Sequence, residues 1–104
     1  MGRKKHIEYL KDFKRNLTKQ IPIDRMLLFG SRAYGKPHRW SDFDLIIVSK
    51  KFRNVDSLHR ALGFYDFWNI KYPVDFLCYT PEEFNKLKKQ ITIVKEAVEN
   101  GIEI

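Results

Sequence analysis

Two short apolar runs constrain this chain more than any other feature. Met26-Leu27-Leu28-Phe29 ends at a glycine, and Phe43-Asp44-Leu45-Ile46-Ile47-Val48 is rich in β-branched and aromatic residues. Runs of this length bounded by turn residues suit buried strands. A third run over 74–79 begins after Pro73 and reads as a strand as well, with Cys78 in it as a small buried hydrophobe.

Helical periodicity fills the intervals. Over 5–20, Ile7, Leu10, Phe13 and Leu17 share one face, while Lys5, Lys11, Arg15 and Lys19 form an opposite, solvated one; Pro22 closes the helix. Over 55–69, an arc of Val55, Leu58, Ala61, Leu62, Tyr65 and Trp68 predicts a second helix. Phe64 and Phe67 fall off that arc, so they either lie beneath another segment or form a contact patch for a partner. Thr80-Pro81-Glu82-Glu83 reads as an N-cap, a first-turn proline and a capping box, with Tyr79 and Phe84 as a hydrophobic staple. A separate helix over 91–100 ends at Gly101, and 102–104 alternate like an edge strand. The order helix, strand, strand, helix, strand, helix predicts an α/β or α+β sheet with helices packed against it.

Composition narrows the class. The 104 residues suffice for one core, so 1–104 is expected to be a single domain. At 43% hydrophobic and 14% aromatic the chain is neither collagen-like nor disordered. No apolar run nears the roughly 18 residues that span a bilayer, the first residues lead into no signal-peptide core, and His6 occupies the place where a myristoylation motif needs Ser or Thr. A single cysteine allows no internal disulfide, and His6, His38 and His59 lack zinc-ligand spacing, so a reducing cytoplasmic setting is expected. The formal charge of +7 attracts anions, whether nucleic acid, nucleotide phosphates or an acidic protein, and solubility alone is the plainer reading of it.

The chemistry lies at strand ends. Gly30-Ser31-Arg32-Ala33-Tyr34-Gly35 follows the first strand, where a glycine exit and the opening amides of a helix suit phosphate, and Ser31 adds a hydroxyl donor. In Ser41-Asp42-Phe43-Asp44, residues two apart on a strand point the same way, so Asp42 and Asp44 project together. Paired carboxylates repel unless a proton or cation intervenes, and hard oxygen donors suit Mg²⁺. Asp75 sits among residues that read as buried strand, where an aspartate needs a partner or a metal. If the Asp75 strand lies beside the Asp44 strand, three carboxylates can surround two cations, an arrangement suited to in-line phosphoryl or nucleotidyl transfer.

Gly30-Ser31, a spacer, Asp42-x-Asp44 and a later strand aspartate resemble the nucleotidyltransferase superfamily of DNA polymerase β. The string GSRAYG…SDFDL is similar to its minimal nucleotidyltransferases, and the likeness spans nearly the whole chain. It implies a mixed β-sheet packed against helices. It makes Asp42, Asp44 and Asp75 metal ligands and catalytic residues, with Asp75 as base for the acceptor hydroxyl, and it puts the nucleotide's phosphates on Gly30, Ser31 and Arg32. Tyr34 departs from the pattern, because relatives often carry a second basic residue there. Arg39 and Trp40 in the loop 36–40 could touch the nucleotide, although a solvent loop is the plainer reading.

The resemblance implies two Mg²⁺ ions and ATP or another NTP. It implies transfer of AMP, or another NMP, to a hydroxyl of a partner protein, the partner being a helical HEPN ribonuclease toxin that this chain neutralises as antitoxin. A non-catalytic antitoxin that masks its partner is the alternative; with all three carboxylates and the Gly-Ser turn present, the enzyme is favoured. A nucleic-acid-binding protein would explain the charge but leave three aspartates in the middle of an attractive field. The oligomeric state, homo- or hetero-, is left open.

Overall fold

The structure is a computed structural model that describes residues 3–35 and 41–104. In chain order its elements are α1 (Arg3–Thr18), β1 (Arg25–Phe29), α2 (Ser31–Tyr34), β2 (Phe43–Val48), β3 (Val74–Tyr79), α3 (Pro81–Leu87), α4 (Ile93–Asn100) and β4 (Ile102–Glu103). The strands make one mixed sheet in the order β3-β2-β1-β4: β1 pairs antiparallel with β2 and β4, and β2 runs parallel to β3.

Both faces of the central strands are covered, which is why their sequences read as unbroken apolar runs. Met26, Leu28, Phe43, Leu45 and Ile47 pack on one face against Leu10, Phe13 and Leu17 of α1. Leu27, Phe29, Ile46 and Val48 pack on the other against Phe84 of α3 and Val94 and Ala97 of α4. Each large buried side chain contributes about 1.5–3 kcal/mol, so both layers of helix are required to hold the strands in register. The capping box of α3 is present, with Thr80 Oγ1 accepting from the Glu83 amide and the Glu83 carboxylate accepting from the Thr80 amide. At α4, Thr92 Oγ1 accepts from the Lys95 amide. Residues 102–103 form the expected edge strand, and their partner is β1 of the same chain.

The helix predicted over 55–69 does not form. The chain instead crosses from β2 to β3 through short 3₁₀ turns at Ser57–His59 and Phe64–Phe67. Its amides bond three residues back, Leu62 to His59, Phe64 to Ala61 and Asp66 to Gly63, and Gly63 takes a left-handed φ of 83° that interrupts an α-helix. A period of three aligns Ala61, Phe64 and Phe67 instead of the α-helical arc. The aromatics expected off the buried arc pack as well: Phe64 is 5% exposed and Phe67 lies against the core, as do Ala61 and Trp68 of the expected arc. Leu58 and Leu62 are 86% and 71% exposed. The crossover also protects the sheet's outer edge, because Tyr65 Oη donates to the Val74 carbonyl and Arg60 Nη1 donates to the Cys78 carbonyl.

Candidate active site

The sheet brings the chemistry to the end where β1 finishes and β2 and β3 begin. Asp44 is in register with Asp75 across the parallel β2–β3 pair and with Phe29 across the antiparallel β1–β2 pair. Asp42 precedes β2 by one residue. Side chains two apart or directly cross-strand share a face, so all three carboxylates lie on the face that α3 and α4 cover. Phe29, Gly30, Asp44, Asp75, Phe76, Leu77, Ile93 and Glu96 line a cleft of about 450 Å³ there.

Gly30 is fixed at this point by two independent demands. Its φ of 76° with ψ of −163° lies in a region essentially confined to glycine. A Cβ built on it would also fall inside the envelope of Asp44 Oδ2 and 3.2 Å from Asp44 Cγ. The backbone that leaves β1 is thus laid directly against the Asp44 carboxylate. The next residues form the short α2, whose Ala33 amide returns to the Gly30 carbonyl at 3.0 Å.

The three aspartates are not equivalent. Asp44 is half-buried, and its carboxyl is raised above the usual range, first by burial, then by the charges of Asp75 and Asp42. Asp42 and Asp75 are exposed. The expectation that Asp75 is a buried charge is corrected here: its neighbour Val74 turns into the core, while Asp75 points to the opposite face and lines the open cleft, so Asp44 carries the electrostatic strain of the group. Among the described residues, no three His, Cys, Asp or Glu side chains are gathered as a ready-made metal cage. Like charges brought together by strand register repel one another when nothing intervenes. The donors are hard oxygens, and a carboxylate held against its like-charged neighbours is the setting a divalent cation relieves, so the residues fit such a group.

Arg32 is placed differently from Gly30 and Ser31. It points inward, 6% exposed, with its guanidinium carbon 4.5 Å from the ring centres of both Phe43 and Tyr72. Nε donates to the Ser41 carbonyl at 2.8 Å, and Nη2 is buried with no acceptor among the described residues. His6 packs edge-on to the same two rings, and its pKa is lowered by burial and by the Arg32 charge. Two cations are too costly in one dry box, so the histidine stays neutral. The loop 36–40, with Arg39 and Trp40, lies outside the described residues, as does the Tyr34 side chain.

Sequence reasoning missed Glu96 and Ile93, which reach the cleft only because α4 packs over the sheet; no local pattern carries that. It also missed His6, although His6, Leu10, Phe13 and Leu17 follow helical spacing on the buried face of α1. Cys78 is the inert hydrophobe expected, its thiol pushed up to about 12 by burial. No described helix is long and apolar enough to cross a membrane.

Known proteins resemble this chain in sequence and fold. Residues 5–100 match the nucleotidyltransferase domain family. The chain is 31% identical over 92 residues to Haemophilus influenzae MntA, assigned by name to the protein adenylyltransferases, a match covering 84% of this chain and 78% of that protein. It is 26% identical over 100 residues to a Methanocaldococcus jannaschii protein likewise assigned by name, covering 94% and 97%. A Sulfolobus solfataricus crystal structure, assigned by name to the nucleotidyltransferases, shares the fold with a TM-score of 0.67 at 20% identity, over 97% of this chain and 80% of that one. With the glycine turn laid against Asp44, the strand carboxylates in register and a family match over nearly the whole chain, this protein belongs to the nucleotidyltransferase domain family.

Proposed function

We propose that this nucleotidyltransferase moves AMP from ATP to a hydroxyl of a partner protein, with Asp42, Asp44 and Asp75 holding two Mg²⁺ ions. The observation that carries the reading is the register of Asp44 with Asp75 across adjacent strands, with the Gly30 backbone laid against the Asp44 carboxylate. Bound divalent cations would supply charge neutralisation for the triphosphate and the leaving group.

The chain's own groups would do the rest. The Gly30–Ser31 turn holds the phosphates through backbone amides and the Ser31 hydroxyl. Asp75, the exposed carboxylate at the mouth of the cleft, accepts the proton of the acceptor hydroxyl. The acceptor oxygen forms a bond to the α-phosphorus, the bond from that phosphorus to the bridging oxygen breaks, and pyrophosphate leaves. The names of the relatives support a protein acceptor. The proposed partner is a HEPN-type helical toxin that this chain, as its cytoplasmic antitoxin, neutralises by modification.

The test is to incubate the protein with Mg²⁺, a co-purified partner and ATP labelled at either the α- or the γ-phosphate. Label retained from the α-position with release of pyrophosphate supports the reading. Label retained from the γ-position, or silencing of the partner with no label, overturns it.

A further inference from the structure

Arg32 is the one cation of the Gly-Ser turn, yet it is turned away from the cleft and into the protein. Its guanidinium touches three segments at once. It belongs to α2, directly after the Gly30–Ser31 turn. It bonds the carbonyl of Ser41 and stacks on Phe43, the two residues that flank Asp42. It also lies 4.5 Å from the ring centre of Tyr72, two residues before β3 and three before Asp75. The Phe43 amide in turn donates to the Pro73 carbonyl at 2.9 Å, joining the starts of β2 and β3. The two rings are 6.2 Å apart and tilted 47° to each other, so they wall adjacent sides of the guanidinium; a planar guanidinium can meet aromatic rings and donate a directed hydrogen bond together, a combination a lysine ammonium does not reproduce.

We propose that Arg32 is a positioning residue, a clamp that fixes the start of β2 and the approach to β3, so that Asp44 and Asp75 line the cleft in one arrangement with the charge of Asp42 beside them. It acts through Ser41, Phe43 and Tyr72 and not by touching the triphosphate. Burial supports this division, because a side chain 6% exposed and enclosed by two rings has little surface left to offer a ligand. The proposal rests on the transferase reading above, and its test separates the two.

The experiment compares Arg32→Met and Arg32→Lys with the unaltered protein for AMP transfer at saturating ATP, for binding of a fluorescent ATP analogue, and for amide hydrogen exchange. A clamp predicts that both variants lose about 100-fold in kcat, the order expected when reacting groups are misplaced by about 1 Å, with nucleotide affinity within about threefold of the unaltered value. Lysine then gives no rescue. The Phe43 amide exchanges at least tenfold faster, while the amides of β1 keep their protection. If Arg32 instead contacts phosphate, nucleotide binding weakens tenfold or more and lysine restores most of it; that result overturns the proposal, as does full activity in Arg32→Met. Should Arg32→Met not fold, Tyr72→Leu removes one face of the clamp and must show the same kcat loss in milder form, or the proposal fails. If the unaltered protein transfers nothing, the transferase reading falls, and exchange at Phe43 alone decides whether Arg32 holds the start of β2.

Discussion

Gly30→Ala tests the closest approach in the site, and its effect can be worked from the structure. The residue holds φ 76° and ψ −163°, a conformation that carries about 1–3 kcal/mol of strain for a non-glycine residue. The new Cβ would also collide with Asp44 Oδ2, and the carboxylate must rotate away because Asp44 Cγ and Cβ sit only 3.2 and 3.4 Å off. Displacing a half-buried carboxylate from its place adds about 1–2 kcal/mol. Reduced unfolded-chain entropy returns about 0.4–1 kcal/mol. The net loss is about 1–5 kcal/mol, and for a domain of this size each kcal/mol lowers Tm by about 4–8 °C. Equilibrium denaturation in urea measures it, and a double-mutant cycle with Asp44→Ala isolates the contact. In the Asp44→Ala background the collision is gone and only backbone strain remains, so Gly30→Ala should cost at least about 1 kcal/mol less there. Equal costs in the two backgrounds would refute the claim that Gly30 is shaped around the Asp44 carboxylate.

Other perturbations follow from the same electrostatics and packing. Because the Asp44 carboxyl is raised, the folded state binds more protons than the unfolded chain just above the ordinary carboxylate value, and its stability falls as pH rises through that window. Asp44→Asn should therefore raise stability at neutral pH without divalent cation by about 1 kcal/mol, the order of two screened like-charge pairs; a thermal melt with and without Mg²⁺ reads this, and a loss of stability would contradict it. His6 has the opposite sign: its pKa is lowered, so stability should drop as pH falls below 6.5, and His6→Phe should flatten that slope in melts across the range. Phe64→Asp should unfold the chain, whereas Leu62→Asp should shift stability by no more than about 0.5 kcal/mol; circular dichroism distinguishes them.

Much of this arrangement was legible in the sequence because it is local. The runs 26–29 and 43–48 can be buried only as strands, and Thr80-Pro81-Glu82-Glu83 states its own cap. Alternation alone puts Asp42 and Asp44 on one face. The crossover 55–69 misled because its apolar residues fit an α-helical arc, while the glycine at 63 and the packing of Phe64 against Phe52 and Phe76 favour a period of three. The surroundings of Asp75 misled too: its apolar neighbours Val74 and Phe76 pack on the α1 face, while Asp75 points to the opposite face, which opens into the cleft at this end of the strand. Glu96, and the inward turn of Arg32, depend on contacts between segments far apart in the chain, which no spacing rule encodes.

The central claim is that three carboxylates act as one cation-dependent unit. The most direct test is the rate of α-phosphate label transfer to the partner in Asp42→Asn, Asp44→Asn, Asp75→Asn and the double variants. A single unit predicts that each change lowers the rate by about 10³-fold or more and that doubles fall little further. A near-normal rate in any one variant, or losses that multiply in the doubles, would contradict it.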